Sequence, residues 1–181
     1  MNAQLPINTI FFDRDGVINN VVIRDIGVSA PRVFSEFEIL SEFENFHAAT
    51  SALPLKRFVV SNQPDVSRNL LPAAELDKMT DELKARFAFD EVMYCTHDNH
   101  HECSCRKPKS GMITHLLQKY NLDSKRCILI GDSYKDVLAG QGAGVTTILV
   151  RRDYNPNQQC RPEFIVDNLR EVLNIITFEQ G

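Results

Sequence analysis

The chain has 181 residues, 43% of them hydrophobic and 24% charged, a composition that fills one core without staples and excludes a disordered or fibrous protein. Its formal charge of -4 excludes a surface built to neutralise a nucleic-acid backbone, and no apolar run reaches the ~18 residues needed to span a bilayer. The opening MNAQLPINTI has neither a basic start nor an apolar signal core, so the expectation is one cytoplasmic domain over residues 1–181, working as a monomer.

In chain order, a short apolar run at Thr9–Phe12 predicts a buried strand, and residues 24–37 show no period and read as a long functional loop. Helical spacing over 42–53 is followed by a strand at 58–60, a helix over 72–87 and a strand at 91–94. Residues 95–110 carry too many Cys, His and charged residues for a core element. A helix over 111–120, a strand at 127–130, a helix at Tyr134–Ala143, strands at 147–150 and Phe164–Val166 and a helix over 168–176 complete the chain. Strands alternating with helices predict an α/β fold with a mostly parallel sheet. Ligands in such sheets bind beyond the carboxyl ends of the strands, and the residues directly after the first, second and fourth strands are Asp13, Ser61 and Asp132.

Asp13-Arg14-Asp15-Gly16 runs straight off the first strand. A carboxylate there can attack phosphorus while a metal screens the repulsion between anions, and a second carboxyl two residues on can handle the leaving-group proton. The same tetrapeptide also occurs as an ordinary turn. A second cluster, Cys95-Thr96-His97-Asp98-Asn99-His100-His101-Glu102-Cys103-Ser104-Cys105, offers three thiolates and an imidazole, a donor set for a closed structural Zn²⁺ site. His97, His100 or His101 can supply the nitrogen. Cys127, inside the run CILI, reads as a small buried hydrophobe.

Together these residues resemble the haloacid dehalogenase-like hydrolase superfamily. Its first motif is matched by Asp13-Arg14-Asp15-Gly16-Val17, its second by Ser61 in Val59-Val60-Ser61-Asn62-Gln63, its third by Lys107 in Arg106-Lys107-Pro108, and its fourth by Gly131-Asp132-Ser133-Tyr134-Lys135-Asp136. The resemblance implies a Rossmann-like three-layer sandwich in which Asp13 is the nucleophile, Asp15 the general acid and base, and Ser61 and Lys107 the groups steadying the transferring phosphoryl. It implies Mg²⁺ held by Asp13, Asp132 and the main-chain carbonyl of Asp15, with Asp136 supporting that shell or capping the following helix. The spacing C-x-H…C-x-C is similar to the branch containing heptose 1,7-bisphosphate and histidinol-phosphate phosphatases. That likeness implies zinc on Cys95, His97, Cys103 and Cys105, no large cap domain, and a zinc-stabilised loop. The substrate is then a small phosphorylated metabolite, met by Asn62 and Arg106, with Arg24 and Arg106 facing a second anionic group. The chain departs from that branch at Asn20-Val21-Val22, at Pro64-Asp65 and at Ser133, all positions that bear on substrate rather than chemistry. A competing reading is a zinc-stabilised binding module without activity; it leaves the order of Asp13, Ser61, Lys107 and Asp132 unexplained.

Overall fold

Alternate residues of the central strands face two different helical layers, and this alternation organises the molecule. The computed structural model describes residues 5–25, 27–155 and 159–178. In chain order the elements are β1 (Leu5–Ile7), β2 (Thr9–Phe12), β3 (Val22–Arg24), β4 (Gly27–Ser29), α1 (Ser41–Thr50), β5 (Lys56–Asn62), α2 (Ala73–Arg86) and β6 (Glu91–Cys95). They continue with α3 (Gly111–Lys119), β7 (Cys127–Gly131), α4 (Tyr134–Ala143), β8 (Thr146–Val150), β9 (Phe164–Val166), α5 (Leu169–Ile175) and β10 (Ile176–Phe178). Six strands form one parallel sheet in the order β6-β5-β2-β7-β8-β9.

Ile10, Phe12, Val59, Ile128 and Ile130 point to the side covered by Phe43 and Phe46 of α1, Leu83 of α2, and Leu169 and Val172 of α5. Phe11, Phe58, Val60, Cys127 and Leu129 point to the other side, against Met112, Ile113 and Leu116 of α3 and Ala139 of α4. Burial on both faces explains why β2 and β7 read as unbroken apolar runs. Phe11 stacks on Phe58 at 5.3 Å, and Phe12 meets Phe43 edge-on at 5.4 Å. Cys127 is buried in the α3 layer, as a small hydrophobe is expected to be.

The expected elements are present, with differences at their ends. Helix α1 stops at Thr50 rather than at residue 53: the Thr50 hydroxyl donates to the Phe46 carbonyl at 2.9 Å, that of Ser51 to Ala48 at 3.0 Å, and Pro54 disfavours helical backbone at Leu53. Strand β5 begins at Lys56, two residues before the apolar run, with Arg57 buried because its guanidinium is spent on the Leu55 and Thr50 carbonyls. Helix α5 gives way at Ile176 to β10, which pairs in parallel with β1. Within and beside the aperiodic stretch 24–37, β3 and β4 form an antiparallel hairpin closed at Gly27, whose φ of +106° suits glycine. The strand order reverses between β2 and β7, so the carboxyl ends of these two strands open a crevice. No inserted domain covers it among the described residues.

Candidate active site

The turn after β2 brings both motif aspartates into this crevice. The Asp13 amide donates to the Ile130 carbonyl at 2.9 Å, which ties the turn to β7. Gly16 has φ +84°, and a Cβ there would fall 2.3 Å from Asp132 Oδ2, so only glycine lets the turn pass. Asp15 accepts from Arg14 Nη2 at 2.9 Å, Asn19 Nδ2 at 2.9 Å and Gln63 Nε2 at 2.6 Å. Arg14 itself is fully buried between the Phe37 and Tyr94 rings, 5.5 and 5.6 Å away. The general-acid candidate therefore has a fixed orientation.

Strand β5 delivers Ser61, buried, with Gln63 Nε2 donating to its hydroxyl at 3.1 Å. Asn62 grips the Lys107 backbone both ways: its Nδ2 donates to the Lys107 carbonyl at 2.9 Å and its Oδ1 accepts the Lys107 amide at 3.0 Å. The Asn62 side chain lines the cavity, but what it does in the structure is place Lys107. The Lys107 ammonium sits 2.9 Å from Asp13 Oδ1 and 2.5 Å from Asp136 Oδ1. Against the cost of burial, those two carboxylates hold it above the usual lysine range.

Asp132 follows β7 and Asp136 lies one turn into α4. The Asp136 carboxylate caps α4 by accepting the Ser133 amide at 3.1 Å and its hydroxyl at 2.7 Å, while its other oxygen takes Lys107. Carboxylate oxygens of Asp13, Asp132 and Asp136 lie within 4.8 Å of one another. Burial, then the Asp136 charge, pushes Asp13 up to about 6; burial, then the charges of Asp13 and Asp136, pushes Asp132 up to about 8. Three acids against one ammonium leave an excess of buried negative charge. A hard divalent cation with oxygen ligands fits that deficit.

Strand β6 ends at Cys95. The Cys95, Cys103 and Cys105 sulfurs lie 3.1 to 3.6 Å apart, and His97 Nδ1 is 3.3 Å from Cys105 and 3.7 Å from Cys95. A tetrahedral zinc with Zn–S of ~2.3 Å has S···S edges of ~3.8 Å, so this Cys₃His set is compatible with zinc. His101 is engaged elsewhere, its Nδ1 accepting the Asp98 amide at 2.9 Å. The loop packs on the start of α3 so closely that a Cβ on Gly111 would sit 2.3 Å from the Ser104 carbonyl. Lys107 follows Cys105 by two residues, so the cluster and Lys107 share one short tether.

Asp13, Asp15, Ser61, Asn62, Arg106, Lys107 and Asp132 line a cavity of about 560 Å³. Arg24 does not line it; its guanidinium is spent on Glu36 at 2.6 Å and Ser29 at 2.8 Å. The cations that do, besides Lys107, are Arg106, Lys135, Arg68 and Arg32. Arg106 rests on Asn99 Oδ1 at 2.8 Å and the His97 carbonyl at 3.2 Å. Burial, then the Arg106 charge, lowers Lys135. Asp65 accepts Arg32 at 2.7 Å and Arg68 at 3.2 Å, and Arg68 reaches on to Asp98 at 2.6 Å. Sequence reasoning passed over Arg32, which lies in the aperiodic stretch 24–37, and Arg68 and Lys135, whose only signal was proximity to the motifs; Asp65 stands two residues after Gln63.

Comparison with known proteins gives the chain a family. A HAD-hydrolase-like family model matches residues 104–172. The chain is 32% identical to the D-glycero-alpha-D-manno-heptose-1,7-bisphosphate 7-phosphatase of Burkholderia mallei, over 93% of this chain and 93% of that one. It is 30% identical to the D-glycero-beta-D-manno-heptose-1,7-bisphosphate 7-phosphatase of Vibrio cholerae, over 90% of this chain and 92% of that one. Its fold superposes with a TM-score of 0.79 on the D,D-heptose 1,7-bisphosphate phosphatase from B. bronchiseptica, solved with magnesium and phosphate, at 23% identity over 93% of this chain and 99% of the other. The reading as an inactive binding module gives way to an enzyme. With near-complete coverage by such relatives, the chain belongs to the heptose-1,7-bisphosphate phosphatase family of HAD-like hydrolases and is a phosphatase.

Proposed function

We propose that this chain is a single-domain, magnesium-dependent cytoplasmic phosphatase that removes the 7-phosphate of D-glycero-D-manno-heptose 1,7-bisphosphate. What supports the reading is the meeting of Asp13, Asp15, Ser61, Lys107 and Asp132 around one cavity of about 560 Å³, a volume suited to a small ligand, in a chain whose relatives carry that substrate in their names.

An Asp13 oxygen forms a bond to phosphorus as the bond from phosphorus to the sugar oxygen breaks, and Asp15 gives that oxygen a proton. Water then attacks phosphorus, Asp15 takes the water's proton, and Asp13 leaves as a carboxylate with inorganic phosphate released. Lys107 balances the charge on Asp13 and the phosphoryl oxygens, and the Ser61 hydroxyl orients them. Magnesium, held by Asp13, Asp132 and the Asp15 carbonyl, supplies the divalent charge that brings two anions together. Zinc on Cys95, His97, Cys103 and Cys105 fixes the loop that carries Arg106 and Lys107. Arg106 with Lys135 receives the second phosphate, and Asn62 acts by holding Lys107 in place.

The test is phosphate release from heptose 1,7-bisphosphate, histidinol phosphate and simple sugar phosphates, with and without Mg²⁺. Magnesium-dependent turnover of the heptose bisphosphate is expected, absent in Asp13→Asn. Preference for another compound on the panel contradicts the substrate assignment, and an active Asp13→Asn enzyme contradicts the mechanism.

A further inference from the structure

Four segments meet at the magnesium acids, and one of them lies outside the four motifs. It is the chain just past β8. There Arg152 Nε donates to the Gly16 carbonyl at 2.8 Å, Tyr154 Oη donates to Asp132 Oδ2 at 2.6 Å, and Asn155 Nδ2 donates to the main-chain oxygen of Asp132 at 3.3 Å. The fit is tight: a Cβ on Gly16 would fall 2.2 Å from the Tyr154 hydroxyl. The segment is itself anchored, because Arg152 also pairs with Glu42 of α1, and the other Glu42 oxygen accepts the Leu169 amide at 3.1 Å at the start of α5.

We propose that Tyr154 is a positioning residue for the catalytic metal, its hydroxyl holding one oxygen of Asp132 so that the other is presented to magnesium, while Arg152 fixes the facing Gly16 turn. The proposal rests on the magnesium-dependent reading above. A carboxylate beside a dication can bind through either oxygen or both, whereas Mg²⁺ demands near-octahedral geometry at ~2.0–2.1 Å. A hydrogen bond to one oxygen removes that freedom, and partners of this kind are typically worth ~10–100-fold in metal affinity. A phenol suits this role better than a lysine or arginine would. It is a neutral donor, so it orients the carboxylate without cancelling the negative charge that attracts the cation.

The experiment uses the zinc-loaded protein without substrate: thermal stabilisation is titrated against Mg²⁺ for the parent and for Tyr154→Phe, which keeps the ring and deletes only the hydroxyl. The midpoint is expected to rise roughly tenfold in the variant, and the magnesium concentration giving half-maximal phosphatase rate to rise with it, while kcat at saturating magnesium falls by less. Arg152→Gln is expected to shift the midpoint in the same direction. An unchanged midpoint in Tyr154→Phe overturns the proposal, as does a loss of kcat with magnesium affinity intact. A parent chain that gains no stability from Mg²⁺ overturns the reading beneath it.

Discussion

The charges around Lys107 set the behaviour of the site at the scale of single residues. Asp13 and Asp132 hold protons up to about 6 and about 8, through burial and their neighbouring carboxylates. A carboxyl that binds its proton more tightly folded than unfolded stabilises the fold below the ordinary carboxylate range and loses that contribution as pH climbs through its folded value. Without magnesium, the protein is therefore expected to lose melting temperature as pH rises from the ordinary aspartate range to about 8. Protons compete with the cation for the same oxygens, so the stabilisation from a fixed magnesium concentration is expected to grow across that window. Melting curves with and without magnesium check this, and a gain independent of pH contradicts it. Asn62 makes a second case. Its two bonds to the Lys107 backbone, each worth about 1 kcal/mol, predict that Asn62→Ala costs about 2 kcal/mol in a denaturant titration and lowers kcat through Lys107. The motif aspartates and Ser61 were legible because the chemistry needs those side chains after apolar runs, and Lys107 only through the family resemblance, which expects a lysine ahead of the helix that starts at Gly111. The roles of Asn62 and Tyr154 were not, because their partners lie 45 and 22 positions away in the chain.

Elements decide where these residues stand. The central strands were readable because two-sided burial leaves runs such as CILI with nothing polar in them. The pair β1 and β10 was not, since three-residue strands carry too few side chains to show a period. The hairpin of β3 and β4 hid in the same way, with exposed or half-buried residues on both of its strands. The loop after β6 brings its three thiols together against the core on the α3 side. On the proposed zinc site, chelation, or substituting Cys103→Ser, is expected to lower the melting temperature and to slow turnover by freeing Arg106 and Lys107. Re-adding zinc should restore the chelated parent but not the Cys103→Ser protein. Metal analysis alongside kinetics checks this, and full activity in a zinc-free protein contradicts it.

Across the whole molecule, the reversal of strand order between β2 and β7 supplies the crevice, and loops from both halves of the sheet close around it. One chain of charge, Arg32–Asp65–Arg68–Asp98, runs from the segment after the hairpin, through the turn after β5, to the loop carrying the thiols. Asp65 is its centre and is mostly buried. Asp65→Asn is expected to raise KM for the bisphosphate more than it lowers kcat, because the loops shape the mouth of the cavity while Asp13 and Lys107 stay in place. Steady-state kinetics decides; a loss confined to kcat contradicts that division of labour. No helix among the described residues is long and apolar enough to cross a membrane.

The most direct test of the central claim is to stop a reaction with heptose 1,7-bisphosphate in acid within the first turnover and to map the phosphorylated peptide by mass spectrometry. A phosphoryl group on Asp13, present in the parent and absent from Asp13→Asn, is the predicted result. Turnover with no phosphoryl group on Asp13 at any time, or with the group on another residue, would contradict the account.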